Sequence, residues 1–148
     1  MAEGVFRALV ERAGRSSEIK VDSAGTHANR EGESPDPRAK RVAASRAYNL
    51  AALRSRRVSD EDYARFDLIL AMDRLNLDHL RRYCPADYQP KLHLFLEFAE
   101  GLASDEVPDP YFGGVEGFEK VLDLCENAAR GLLAAISGNT GAGLSRVS

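Results

Sequence analysis

Asp109 opens the run Asp109-Pro110-Tyr111-Phe112-Gly113-Gly114, a carboxyl group set beside two aromatic rings in a turn-rich segment. A carboxylic acid partly covered by aromatic side chains has a raised pKa and can hand over a proton near neutrality. The same residues also suit an ordinary turn, with Pro110 fixing one φ angle and the glycines completing the loop. Two thiols could act as nucleophiles, Cys84 and Cys125. A cysteine attacks as the thiolate, which requires a helix N-terminus or a nearby cation to lower its pKa. Cys125 falls in the apolar stripe of a long helical pattern, where a small hydrophobic core residue is expected. Cys84 follows a helix end and is itself followed by Pro85. His27, His79 and His93 fall on a loop, a helix and a strand with no shared ligand spacing, which predicts no metal site. Arg54, Arg56 and Arg57 read as a solvated face, with an acidic partner as the alternative.

These residues need elements to position them. Ala2, Val5, Phe6, Leu9, Val10 and Ala13 recur at helical spacing, and Gly14 supplies the stop. Residues 18–23 predict a short strand, followed by a polar loop over 27–35. Asp36-Pro37 predicts an N-cap and a first-turn proline opening a helix from Arg38 to Tyr48. Ser59-Asp60-Glu61-Asp62 predicts a capping box before a short helix ending near Phe66. Residues 67–72 form an apolar run of strand length, as in a strand covered on both faces. Asp73 caps a predicted helix from Arg74 to Tyr83. Residues 91–96 give another strand, and Val115 to Ile136 the longest helical pattern. The segment 137–148 is Gly/Ser-rich and poor in apolar residues, which predicts a flexible tail. Alternating helices and apolar strands predict one α/β domain over residues 1–136 with a parallel sheet.

Of the 148 residues, 44% are hydrophobic and 29% charged, as in ordinary globular proteins. The net charge of −3 is the wrong sign for a nucleic-acid-binding protein. No apolar run approaches the ~20 residues that span a bilayer, and the first residues lack the pattern of a secretory signal. The two cysteines form no disulfide framework. A cytoplasmic protein without membrane or nucleic-acid partners is the expectation, and no spacing sets an oligomeric state.

Five segments in order carry a resemblance: residues 1–6 (Met-Ala-Glu-Gly-Val-Phe), 21–26 (Val-Asp-Ser-Ala-Gly-Thr), 34–39 (Ser-Pro-Asp-Pro-Arg-Ala), 67–73 (Asp-Leu-Ile-Leu-Ala-Met-Asp, with Asn76-Leu77 behind it) and 107–113 (Val-Pro-Asp-Pro-Tyr-Phe-Gly). Together they resemble the low-molecular-weight protein tyrosine phosphatases, over residues 1 to about 136. The resemblance implies an α/β three-layer sandwich with a short parallel sheet of four strands. It implies hydrolysis of phosphotyrosine through a phosphocysteine intermediate, without a cofactor. The implied partner is a phosphotyrosine protein or a small aryl phosphate. Asp109 would protonate the leaving phenolate and then help deprotonate water. Tyr111 and Phe112 would form an aromatic wall, and Asn29 with Arg30 would lie on the opposite wall, where the family often has an aromatic. Ser23 matches a family serine in the network that holds the phosphate loop, and Leu53 stands where the family has a histidine in that network.

That loop has the form C-x5-R-[ST] and follows the family's central first strand. In this family pattern Met1 falls where the first helix begins, so the expectation is a truncated chain lacking strand, cysteine and arginine, inactive as given. Position 90 after Cys84 is proline and position 131 after Cys125 is glycine, so neither thiol has the arginine. Ser137-Gly138-Asn139-Thr140 echoes the loop, but Ile136 and Ala142 stand at the cysteine and arginine places. A fragment of an active phosphatase is the first reading, for which an in-frame C-x5-R-S upstream is the check. A pseudophosphatase or other binding or regulatory protein is the second, motivated by Asn29 and Leu53. Two unpaired strand edges, and with them poor solubility or a molten state, are expected for the chain alone.

Overall fold

A computed structural model describes residues 1–25, 34–54, 56–102, 105–108 and 114–136, together with the backbone of 144–147. It shows an α/β sandwich. In chain order the elements are α1 (Ala2–Arg12), β1 (Ser23–Ala24), α2 (Pro37–Ser45), α3 (Asp60–Arg65), β2 (Leu68–Ala71), α4 (Arg74–Tyr83), β3 (Leu92–Leu94), α5 (Gly114–Ile136) and β4 (Leu144–Val147). Short 3-10 helices cover Ala86–Lys91 and Phe95–Phe98.

The helices begin where local chemistry starts them. Asp36 accepts a hydrogen bond from the Arg38 backbone N–H at 2.8 Å, and Pro37 fills the first position of α2. Asp73 does the same for α4, accepting from Asn76 N–H at 2.8 Å. At α3 the Asp62 carboxylate reaches back to accept from Ser59 N–H at 2.8 Å, the carboxylate half of a capping box. Gly14, at φ +72°, takes the left-handed turn that follows α1, a conformation a Cβ disfavours.

All four strands run parallel, in the order β1-β4-β2-β3. The sheet divides two apolar layers. Leu70 packs with α1, α2 and α5, through residues such as Phe6, Val42, Leu122 and Leu132. Ile69 and Ala71 pack on the other side with Tyr63, Leu77, Leu80 and Leu94. A short sheet is viable only because helices cover both faces.

Two expectations are corrected here. Residues 144–147 lie in the sheet instead of a tail, between β1 and β2. The open edges expected on those two strands are therefore both paired, with Ser23 and Ala24 opposite Arg146 and Val147, and Leu68 to Ala71 opposite Leu144 to Val147. The reason is the cost of unpaired backbone groups inside a covered sheet, which a weakly apolar strand still relieves. The first strand is also displaced. Only Ser23–Ala24 pair, not the whole of 18–23.

Asp62 is 4% exposed and holds Arg56 through two hydrogen bonds, at 2.9 and 3.1 Å. Burial alone would raise its pKa. The bonds from Arg56 and the Ser59 N–H outweigh that and hold the carboxyl below its ordinary 3.8. A carboxyl whose folded pKa is depressed stabilises the fold above the unfolded value and loses that contribution as pH falls. Asp62→Asn should therefore cost stability at pH 7, by about 1–3 kcal/mol, since Arg56 remains partly solvated. It should cost progressively less as pH drops through 3.8 and below. Urea melts of both proteins across that range check the convergence.

Candidate active site

In an open parallel sheet, ligands bind beyond the carboxyl ends of the strands, where neighbouring crossovers diverge. Three described segments meet at that end here. They are the first turn of α1, the end of β1, and the junction of β2 with α4.

Glu3 sits in the first turn of α1 and is 7% exposed. Its carboxylate accepts from the Ser23 hydroxyl and from Arg7 Nη2, the latter at 2.7 Å. Arg7 also donates to the Val21 carbonyl at 2.7 Å. The serine that the sequence pointed to is thus tied to the start of α1 through Glu3. Sequence reading passed over Glu3, although its position beside the Phe6 and Val10 stripe marks a charge on a buried face. Leu53 packs beside the same turn: a Cβ at Gly4 would lie 3.7 Å from its Cδ1 and 2.2 Å from Leu50 Cδ2. Gly4 therefore admits Leu50 against α1, and Leu53 gives that turn an apolar neighbour without hydrogen-bonding capacity.

On the β2 side, Val107 N–H donates to the Met72 carbonyl at 2.8 Å. Glu106 Oε1 accepts from Arg74 N–H at 2.9 Å, and Asp105 pairs with the Arg74 guanidinium at 2.5 Å. These contacts fasten 105–107 to the carboxyl end of β2, and the chain resumes in the described residues at Gly114, where α5 begins. On the β1 side, Gly25 N–H donates to the Arg56 carbonyl at 2.7 Å and its own carbonyl accepts from Val58 N–H at 3.0 Å. Asp109, Tyr111, Phe112, Asn29 and Arg30 lie outside the described residues, as does His27. Their described flanks, Val107 and Gly25, are anchored at the carboxyl ends of β2 and β1.

Neither thiol is set up as a nucleophile. Cys84 is 8% exposed, and burial pushes its thiol up against the weaker pull of Lys91. Cys125 is 1% exposed within α5. His79 packs on the Tyr83 ring, while His93 Nδ1 lies 3.2 Å from Glu97. Among the described residues no three His, Cys, Asp or Glu side chains converge on a metal position. The arginine run divides. Arg56 turns to Asp62 and to Asp22, at 3.2 Å from the latter, whereas Arg54 and Arg57 are exposed.

No helix of the described residues is long and apolar enough to cross a membrane. The sequence model described as "Low molecular weight phosphotyrosine protein phosphatase" matches residues 1–141. The low molecular weight protein-tyrosine-phosphatase of Streptomyces coelicolor is 42% identical over 139 residues, 92% of this chain and 84% of that protein. The corresponding phosphatase of Schizosaccharomyces pombe is 41% identical over 119 residues, covering 80% and 76% of the two chains. The crystal structure of a protein tyrosine phosphatase from Entamoeba histolytica, with Hepes in the active site, superposes with a TM-score of 0.88 at 35% identity and covers 93% of this chain and 87% of that one. Sequence, sheet and the convergence of α1, β1 and β2 agree, and the chain belongs to the low molecular weight phosphotyrosine protein phosphatase family.

Proposed function

We propose that the reaction this chain is built for is hydrolysis of a phosphotyrosine monoester, with a phosphotyrosine protein or small aryl phosphate in the cytoplasm as substrate. Asp109 gives a proton to the leaving phenolate oxygen and later takes one from the attacking water. Tyr111 and Phe112 flank the phenyl ring on one side, and Asn29 makes the other side more polar.

The remaining half of the chemistry is a thiolate nucleophile and an anion cradle. Backbone N–H groups at a helix N-terminus hold phosphate oxygens, and an arginine adds paired donors as negative charge moves in the transition state. No cysteine among these residues has an arginine six positions on, and this observation carries the reading that the chain taken alone does not turn over substrate. The burial of Cys84 and Cys125 supports it. A second reading, a phosphotyrosine-binding or regulatory protein on the same fold, is favoured by Leu53, which brings no hydrogen bond to the turn of α1 it packs on.

One pair of proteins separates these readings. The chain as given is expected to hydrolyse p-nitrophenyl phosphate at the background rate. The same chain joined at Met1 to the strand and C-x5-R-S loop of a family member is expected to gain turnover that a Cys→Ser change in that loop abolishes. Cysteine-independent turnover by the unjoined chain would overturn the assignment. Saturable phenyl phosphate binding without turnover in the joined protein would favour the binding reading.

A further inference from the structure

The start of α2 and the start of α5 meet through one guanidinium. Arg38 Nε and Nη2 donate to the two carboxylate oxygens of Asp36, at 3.2 and 3.0 Å, and the Arg38 backbone N–H donates to the same carboxylate at 2.8 Å. The side-chain bonds, and after them the backbone bond, hold Asp36 below its ordinary 3.8. Arg38 Cζ also lies over the Phe118 ring, 4.9 Å from its centroid. A guanidinium is planar, so its edge can serve a carboxylate while its face rests on an aromatic ring. Phe118 is 4% exposed and is the first side chain of α5 to be buried, whereas Val115, three residues earlier, is 52% exposed. The seat of Phe118 therefore decides where α5 begins. In sequence, residues 108–113, which include Asp109, join that start to Val107, whose N–H is bonded to the Met72 carbonyl. The flanks of this segment are thus fastened to β2 on one side and, through Arg38, to α2 on the other.

We propose that Arg38 is a positioning residue for proton transfer: locked to Asp36 and seated on Phe118, it fixes the start of α5 and with it the place to which Asp109 is delivered. The proposal rests on the reading of Asp109 as the proton donor. Proton transfer needs donor and acceptor within hydrogen-bond reach, and a misplacement of about 1 Å can cost on the order of 10²-fold in rate. Arg38 acts through α5, so its loss should weaken protonation of the leaving group and leave substrate binding as it was. Lysine at this position keeps a charge above the ring but has no fork for Asp36, and methionine has neither.

Two measurements test this. In the chain as given, Arg38→Met should speed amide hydrogen exchange over residues 114–121 and leave residues 126–134 as in the parent. In the chain joined at Met1 to a cysteine–arginine loop, Arg38→Met should lower kcat on phosphotyrosine roughly tenfold. On p-nitrophenyl phosphate, whose leaving group needs little protonation, kcat should change by less than about twofold, and KM for both substrates should hold. Arg38→Lys should give an intermediate loss, and is the variant read if Arg38→Met fails to fold. In an Asp109→Asn background, Arg38→Met should lower kcat on phosphotyrosine no further, because the group it positions has no proton left to give. Unchanged exchange at the start of α5, an equal loss on both substrates, a change in KM in place of kcat, or a further loss in the double variant would each overturn the proposal. An Asp109→Asn protein equal to its parent on both substrates would sink the proton-donor reading itself, and the role of Arg38 with it.

Discussion

In a version of this protein joined at Met1 to a cysteine–arginine loop, Asp109→Asn is expected to lower kcat on phosphotyrosine by roughly 10²–10⁴-fold. The amide keeps the shape of the carboxyl group but has no proton to give. The loss should depend on the leaving group. Tyrosine phenolate is a strong base and departs slowly without a proton, whereas p-nitrophenolate is weakly basic and needs far less help. The ratio of wild-type to variant kcat should therefore be several-fold larger on phosphotyrosine than on p-nitrophenyl phosphate. A variant within about threefold of wild type on both substrates would remove Asp109 from the reaction and leave Asp109-Pro110 as a turn.

Gly131→Ala should be among the most damaging single substitutions for stability. Gly131 lies where α5 crosses the 3-10 helix Phe95–Phe98, and an alanine Cβ there would sit 1.7 Å from the Phe98 carbonyl oxygen and 2.8 Å from its carbon. Both are backbone atoms, so no side-chain rotation relieves the contact and the two elements must separate. Separation would disturb Phe95, Leu96 and Leu132, which share one apolar cluster. Alanine recovers up to about 1 kcal/mol in helix propensity. The overpacking cost at a rigid backbone contact should exceed that, for a net loss of about 3 kcal/mol. Thermal melts should place the variant roughly 6–12 °C below the parent. Arg130→Ala, one residue earlier and exposed, is the comparison and should change stability by no more than about 0.5 kcal/mol. Equal melting temperatures for Gly131→Ala and the parent would mean that α5 and the 3-10 helix are farther apart than described.

How much of this was legible beforehand depends on whether the signal was local. α4 spans Arg74–Tyr83 as read, because Asp73 caps it and the Cys84-Pro85 pair stops it within a few residues. α2 was read through to Tyr48 but ends at Ser45. Ala47 turns the chain at φ +65°, and Tyr48 is drawn away to donate its hydroxyl to Glu126 at 3.0 Å. That partner lies far along the chain, on α5, beyond the reach of a periodicity argument. The 3-10 helix Ala86–Lys91 left no apolar repeat to find. β4 was invisible because an inner strand is recognised by an apolar run, and Leu-Ser-Arg-Val has none.

The site divides along the same line. Motifs of fixed spacing pointed to Ser23 and Leu53, and the structure sets both beside the first turn of α1. Glu3, which joins Ser23 to that helix, emerged only once α1 and β1 were seen side by side. Asp109, Tyr111, Phe112 and Asn29 remain assignments made by resemblance, with their anchored neighbours as the structural context.

The pairing of Ser23 with Arg146 joins residues near opposite ends of the chain. β1 and β2 each expose a backbone edge whenever Leu144–Val147 leaves the place between them. Contacts so distant in sequence also slow the search for the native arrangement. Loss of the chain beyond α5 would leave that seam open, and two such edges invite pairing with other molecules in place of the missing strand.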